Sequence, residues 1–166
     1  MQRNSFLKSV GTLGLFVSAA TVSSFRTKND EKLNPTIVQE FVGASHRDMD
    51  KVMEMLEEYP NLLNAAHDWK YGDFETGLGA ASHVGYKELV QYFIDKGAQA
   101  NIFTACLFGQ TELVKGTLSV FPNALHAKGP HGFTLLHHAE KGGEEAAEVK
   151  EYLVSLGASE MKIPLY

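Results

Sequence analysis

The sequence is poor in cysteine, in basic residues and in long apolar stretches. Its 166 residues include a single cysteine, Cys106, which excludes an intramolecular disulfide and any metal site built from several cysteines. The 15 lysines and arginines are outnumbered by 20 acidic residues, and the formal net charge is −5. Because proteins that bind nucleic acids need a basic surface, this charge argues against a nucleic-acid partner.

Motifs of known catalytic chemistry are also missing from the sequence. It contains no GxSxG elbow for a nucleophilic serine, no HExxH zinc motif and no glycine-rich loop that would cradle a phosphate. Cys106 falls on a predicted packed helix, where buried thiols are usually inert. We therefore predict a protein that is not an enzyme and that uses no cofactor.

Histidine is the one residue type abundant enough to suggest a metal or ligand site. The seven histidines are His46, His67, His83, His126, His131, His137 and His138. Three or four ligands of one metal ion would have to converge from different parts of the chain. The primary prediction is therefore that no metal is bound, with a site that joins His83 to His131 or His138 as the alternative.

The first 24 residues resemble a bacterial export signal. Arg3 and Lys8 form a short basic region, and the apolar residues 10–22 lead into small residues suited to cleavage. The apolar run is too short and too rich in hydroxyl groups for a good transmembrane helix. The start also resembles a twin-arginine signal, except that Asn4 replaces the second arginine. We expect a periplasmic or secreted protein without a stable membrane span in its mature form; the alternative is a disordered or helical cytoplasmic leader.

The rest of the chain divides into a linker, a folded domain and a tail. Residues 25–33 are polar and typical of a linker. The folded domain is expected over residues 34–160, with 161–166 as a C-terminal tail that could cover its last helices. A composition of 44% hydrophobic and 21% charged residues is typical of one globular domain.

The folded domain carries an internal repeat. The segment YPNLLNA at residues 59–65 recurs as FPNALHA at residues 121–127, 62 residues later. A second set recurs at an offset of 58: Thr76, Leu78, Ala81 and Gly85 correspond to Thr134, Leu136, Ala139 and Gly143. Apolar residues between these positions follow helical spacing, so we predict two blocks of two units, or four helical hairpins.

Residues 76–101, TGLGAASHVGYKELVQYFIDKGAQAN, resemble an ankyrin repeat. The matching positions are Thr76, Leu78, Ala81, Gly85, Glu88, Val90, Gly97, Ala98 and Asn101, while Gly77 and Gly79 replace the proline and histidine of the family. The resemblance implies an all-α fold, an ankyrin-repeat solenoid of about four helix-turn-helix units. Such units must stack, because one unit cannot bury its apolar face alone.

Local signals place several element boundaries. Asn34 followed by Pro35 predicts the start of the first helix, and Asp48 predicts the cap of the second. The loop that precedes the first helix of a unit is called a finger here. The third unit has almost no finger, since Asn101 runs directly into an apolar helix. Residues 67–75 are predicted to form a long loop, and residues 144–156 the last helix.

The resemblance implies a non-catalytic protein-protein interaction module, because ankyrin-repeat proteins bind partners through their fingers and the concave face of their first helices. The candidate partner-binding residues are Trp69, Tyr71, Phe74, His83, Phe108, His131, Phe133 and Lys141. Exposed aromatic residues on a loop mark interfaces, although Trp69 and Phe74 could instead fold back over the first two units. We expect a monomer with a protein partner. The alternative is a small-ligand or metal-binding accessory protein of the bacterial cell envelope that uses clustered histidines.

Overall fold

The computed structural model describes residues 32–166, so the predicted export signal lies outside the described residues. The structure is mostly helical, which confirms the all-α prediction. Its helices are α1 (Pro35–Ala44), α2 (Met49–Glu58), α3 (Gly77–Val84), α4 (Lys87–Asp95), α5 (Ile102–Leu107), α6 (Thr111–Val120), α7 (Leu135–Gly142) and α8 (Ala147–Ser155). The strands are β1 (Ala66–Asp68) and β2 (Phe74–Thr76), and short 3-10 turns lie between the elements. Within residues 32–166, no helix is both long and apolar enough to cross a membrane.

Polar caps start α1 and α2 where the sequence predicts them. The Asn34 side chain accepts a hydrogen bond from the Thr36 N–H at the start of α1, and Asp48 caps α2. The hydroxyl oxygens of Thr76 and Thr134 accept backbone N–H groups at the starts of α3 and α7. These two threonines are equivalent in the internal repeat, so the repeat is visible in the capping.

The helices pack as four consecutive pairs, α1 with α2, α3 with α4, α5 with α6 and α7 with α8. The first helices of the pairs also contact one another in order, and α3 additionally contacts α7. This extra contact follows from the third pair, whose first helix is six residues long and follows Asn101 without a finger. At the start of α4, the Lys87 ammonium donates to the carbonyl of Gly142, the last residue of α7, at 2.6 Å. As a result, the fingers of the second and fourth pairs meet.

The apolar core has two parts. The first is centred on Phe41 and Phe93, two fully buried rings that pack edge to face with centroids 5.9 Å apart. Leu107 is buried in this part. The second part lies between α5, α6, α7 and α8 and includes Cys106. Burial raises the pKa of the Cys106 thiol to about 12, which fits the expectation of an inert cysteine.

Three segments differ from the sequence-based expectation. Residues 67–75 form part of an antiparallel hairpin rather than an open loop. The last helix begins later than predicted, because residues Gly143–Ala146 form a 3-10 turn before α8. The tail pairs with the last finger instead of lying over the last helices: Lys162 bridges to Phe133 in antiparallel fashion. The tail thereby satisfies backbone groups of that finger that would otherwise lie on an open edge.

Candidate functional site

The second finger is a β-hairpin closed by a tight turn, and we call residues 66–76 the finger hairpin. β1 and β2 pair in antiparallel register, with Ala66 opposite Thr76. At the tip, the Asp73 N–H donates to the carbonyl of Lys70 at 3.1 Å. Tyr71 and Gly72 between them have φ of 55° and 87°. Positive φ at both central residues defines a type I′ turn, whose twist suits a two-stranded hairpin.

The last finger contains the same turn about sixty residues later. The Phe133 N–H donates to the carbonyl of Pro130 at 3.1 Å, and His131 and Gly132 have φ of 58° and 79°. Among residues 32–166, Tyr71 and His131 are the non-glycine residues with positive φ. Left-handed conformations are unfavourable for such side chains, and they concentrate at functional positions.

The outer face of the finger hairpin carries two aromatic side chains. Tyr71 is 85% exposed and Phe74 is 62% exposed. The ring of Tyr71 lies edge to face with the ring of Tyr166 from the tail, at 5.4 Å between centroids. Tyr71 and Phe74 are therefore available to a partner, as the interface interpretation of this finger expects.

The inner face of the same hairpin carries a buried acid. Successive side chains of a strand alternate between its faces, and Glu75, next to the exposed Phe74, is only 1% exposed. Trp69 is also directed inward, and its indole N–H donates to Oε2 of Glu75 at 2.7 Å. A carboxylate in this position would be costly without further partners.

Three imidazoles converge on the Glu75 carboxylate. Nε2 of His83, at the end of α3, lies 3.0 Å from Oε1, and Nε2 of His131 lies 3.4 Å from Oε2. His46, in the turn after α1, places its Nε2 3.6 Å from Oε2 and 3.1 Å from Nε2 of His83. One nitrogen from each ring and one carboxylate oxygen all lie within 4.8 Å of one another. We call these four residues the histidine–glutamate cluster.

Hydrogen bonds outside the cluster orient two of its rings. His46 Nδ1 lies 3.0 Å from the carbonyl oxygen of Val42, and His131 Nδ1 lies 2.7 Å from Oδ2 of Asp73. Both partners are acceptors, so each Nδ1 must carry its proton and donate. A neutral imidazole then has an unprotonated Nε2, which in both rings faces the cluster. Asp73 also accepts the backbone N–H of His131 at 2.8 Å, which fixes that residue in its unusual conformation.

The Glu75 carboxylate is ionised at neutral pH. Burial alone raises its pKa, but the neighbouring His83, Trp69 and His46 side chains together outweigh burial and hold the pKa below its usual value. Its Oε1 lies 3.0 Å from Nε2 of His83 and, among residues 32–166, accepts no hydrogen bond of good geometry. The cluster therefore combines a buried negative charge with imidazole lone pairs.

The remaining candidate residues fall into different places. Phe133 packs parallel to the ring of His83 at 4.9 Å, so it forms a wall of the cluster. Phe108 is half-buried against the first part of the core, with the Lys87 ammonium 6.0 Å from its ring centroid. Lys141 is exposed and lies beside Gly85. The structure thus brings together Trp69, His83, His131 and Phe133, directs Tyr71 and Phe74 outward, and leaves Phe108 and Lys141 outside the cluster.

His137 and His138 do not join the cluster. His137 Nε2 donates to the carbonyl of His83 at 2.8 Å, which ties α7 to α3. His138 is 1% exposed, and its Nδ1 donates to the carbonyl of Thr134 at 2.8 Å. Burial lowers the pKa of His138 to about 4, so this ring is neutral at pH 7. Of the two histidines considered as companions of His83, the structure selects His131.

Two cluster members, His46 and Glu75, are not among the sequence-based candidates. His46 lies in the turn between α1 and α2, where nothing in the local sequence marks it. Glu75 could have been found from strand alternation, because a tight turn at Tyr71 and Gly72 implies a strand on which Phe74 and Glu75 face opposite sides.

The chain was compared with known proteins. It matches no model of a known protein family. It likewise shows no significant match among curated proteins.

Proposed function

We propose that this protein is a non-catalytic interaction module that captures a protein partner with the tip of its finger hairpin. The supporting observation is Tyr71, a bulky aromatic residue that is 85% exposed and held at φ 55°. A type I′ turn favours asparagine at this position, and an ordinary residue there costs on the order of 1 kcal/mol. Since the ring is mostly in solvent, the fold gains little in return. Binding of a partner accounts for a tyrosine at this strained position.

Phe74 extends the same surface. Together the two exposed rings determine what kind of surface a partner must offer. The two exposed rings can bury large apolar areas in a partner with an apolar pocket, and aromatic anchors of this kind dominate binding energies in protein interfaces. The chain is acidic overall, with a net charge of −5, which disfavours nucleic acid as the partner. The partner class is therefore a protein with an exposed apolar groove, met in the periplasm or outside the cell if the leader directs export.

We also propose that the four helix pairs are ankyrin-repeat units. Thr76 and Thr134 cap the first helices of equivalent pairs, and His137 ties neighbouring backbone together as the family histidine does. The third unit departs from the pattern because Asn101 leads straight into α5. Its missing finger lets the second and fourth fingers meet.

Replacing Tyr71 by asparagine is expected to abolish partner capture while making the protein slightly more stable. Asparagine suits the left-handed position, so strain on the order of 1 kcal/mol is relieved, which corresponds to a rise in Tm of roughly 3 °C. Both quantities are measurable on the same preparation, by quantitative pull-down from cells that express the protein naturally and by thermal unfolding.

A matched control comes from an exposed aromatic residue elsewhere on the chain. Phe121, after α6, is 64% exposed, so Phe121→Ser removes a similar apolar surface. Capture should survive this change. If a Tyr71→Asn, Phe74→Ser double variant captured the same proteins as the unchanged chain, the proposed function of the finger hairpin would be wrong.

A further inference from the structure

We propose that the histidine–glutamate cluster binds one divalent transition-metal ion of the zinc type, held by Nε2 of His46, His83 and His131 and by the carboxylate of Glu75. The ligands come from four separate places: the turn after α1, β2, the end of α3 and the turn of the last finger. This site goes beyond partner capture, because it lies on the inner face of the finger hairpin and does not use Tyr71 or Phe74.

The spacing of the ligand atoms suits a tetrahedral ion. Bonds of about 2.0–2.1 Å to nitrogen or oxygen in a tetrahedron place neighbouring ligand atoms about 3.3 Å apart. The observed separations are 3.1 Å between His46 and His83, 3.0 Å between His83 and Oε1 of Glu75, and 3.4 Å between His131 and Oε2. The separation between His46 and Oε2 is 3.6 Å. All four ligand atoms lie within 4.8 Å of one another, so the longest separation must shorten by at most about 1.5 Å when an ion binds.

The surroundings of the ligands are those of a metal site. Metal-binding histidines usually donate their second ring N–H to a carbonyl or a carboxylate, and ligating carboxylates are themselves hydrogen-bonded. Here His46 donates to the carbonyl of Val42, His131 donates to Asp73, and Glu75 accepts from Trp69. These contacts direct the lone pairs of the His46 and His131 Nε2 atoms at the common centre before any ion arrives.

The buried charge gives an independent reason for a cation. Glu75 is nine-tenths or more buried, and among residues 32–166 its Oε1 accepts no hydrogen bond of good geometry, although Nε2 of His83 lies 3.0 Å away. A buried carboxylate with an unsatisfied oxygen costs free energy unless a charge compensates it. A metal ion satisfies that oxygen and the Nε2 lone pairs of His46 and His131 in a single contact.

The ligand types restrict the identity of the ion. Three imidazoles and one carboxylate suit zinc and its neighbours among the divalent transition metals. Calcium and magnesium need more oxygen ligands, and copper(I) prefers sulfur. Four protein ligands fill a tetrahedral ion, so the site is closed and its role is structural. An ion here joins the first helix pair, the finger hairpin and the last finger.

Zinc binding is tested on the full chain purified without a histidine tag, stripped with a chelator, reloaded with zinc and then dialysed against zinc-free buffer. We expect one zinc per chain by elemental mass spectrometry, and visible absorption of a tetrahedral site when cobalt(II) replaces zinc. At a zinc concentration of 100 times Kd, the Tm should rise by roughly 8 °C. A chain that retains no zinc after dialysis and whose Tm zinc does not raise would overturn the proposal.

Three variants locate the ion. In His131→Asn the ligand is lost, but asparagine tolerates the left-handed turn, so the variant should fold and bind zinc at least about 100-fold more weakly. Asp73→Asn leaves one acceptor oxygen for two donors, the backbone N–H and the Nδ1–H of His131, with an expected loss of about 10-fold. His126→Gln, an exposed histidine outside the cluster, should bind as the unchanged chain does. Equal affinities of His131→Asn and His126→Gln would place any bound zinc elsewhere and refute the site. Since the outer aromatics are untouched, partner capture can be scored separately on the same variants.

Discussion

The variant Gly109→Ala should lose about 3 kcal/mol of unfolding free energy, one of the largest effects of any single methyl group in this protein. Gly109 follows α5 with φ of 60°, and a Cβ atom there would lie 2.0 Å from the carbonyl oxygen of Glu145. That oxygen belongs to the backbone of the 3-10 turn before α8, so it cannot rotate away. The third and fourth helix pairs would have to separate, and Tm should fall by roughly 10 °C.

Gly97→Ala is the matched control for this effect. Gly97 also has positive φ, at 89°, but a Cβ atom there would meet no atom of the described residues 32–166 within 4 Å, its two chain neighbours aside. The control variant therefore suffers only backbone strain, which costs about 1 kcal/mol. Chemical denaturation of both variants separates the free-energy cost of the steric clash from that of the backbone strain. Equal losses would mean that the close approach of Gly109 to Glu145 is not present in solution.

The starts of the first helices were predictable because their signals are local. Asn34, Asp48 and Thr76 each cap a helix with a hydrogen bond to a backbone N–H within three residues. A cap of this kind needs no tertiary information. The missing finger of the third unit was equally visible, since Asn101 is the direct cap of α5.

The candidate site was only partly predictable because its burial is a tertiary property. His83 and His131 were candidates by their positions in a repeat pattern. His46 was not, since nothing near it in sequence marks it. Strand alternation could have placed Glu75 on an inner face, but not shown which three imidazoles would surround it. The convergence depends on contact between α3 and α7, which exists because the six-residue α5 and its missing finger leave no element between the second and fourth fingers.

The two turns with left-handed residues connect the two proposals. Tyr71 and His131 hold equivalent positions at the tips of type I′ turns, yet Tyr71 is directed into solvent and His131 into the histidine–glutamate cluster. Asp73 joins them: it closes the turn of Tyr71 through its backbone and binds His131 through its side chain. An ion bound by His131 would therefore make the tip that carries Tyr71 more rigid, and rigid anchors bind with a smaller entropic cost.

Acid is expected to destabilise the protein by on the order of 3 kcal/mol between pH 6.5 and pH 4, mainly through His138. Burial lowers the pKa of this ring to about 4 in the folded state, whereas its ordinary value is 6.5. Between these values the unfolded chain binds a proton that the folded chain does not, so stability falls as pH falls. Above pH 6.5 both states are neutral and the effect vanishes. Burial also lowers the pKa of His137, which adds in the same direction.

The measurement is chemical denaturation at several pH values in the presence of a chelator, which removes any contribution from metal release. Asparagine at position 138 does not ionise, and its side-chain N–H can still reach the carbonyl of Thr134, so His138→Asn should show a much flatter dependence in this window. His126→Gln should keep the full dependence, because His126 is exposed. Glu75 contributes only at lower pH, since its pKa is held below its ordinary value of 4.5 and its stabilisation is lost as pH falls below that value. Parallel curves for the unchanged chain and His138→Asn would show that the buried ring is not the group that titrates.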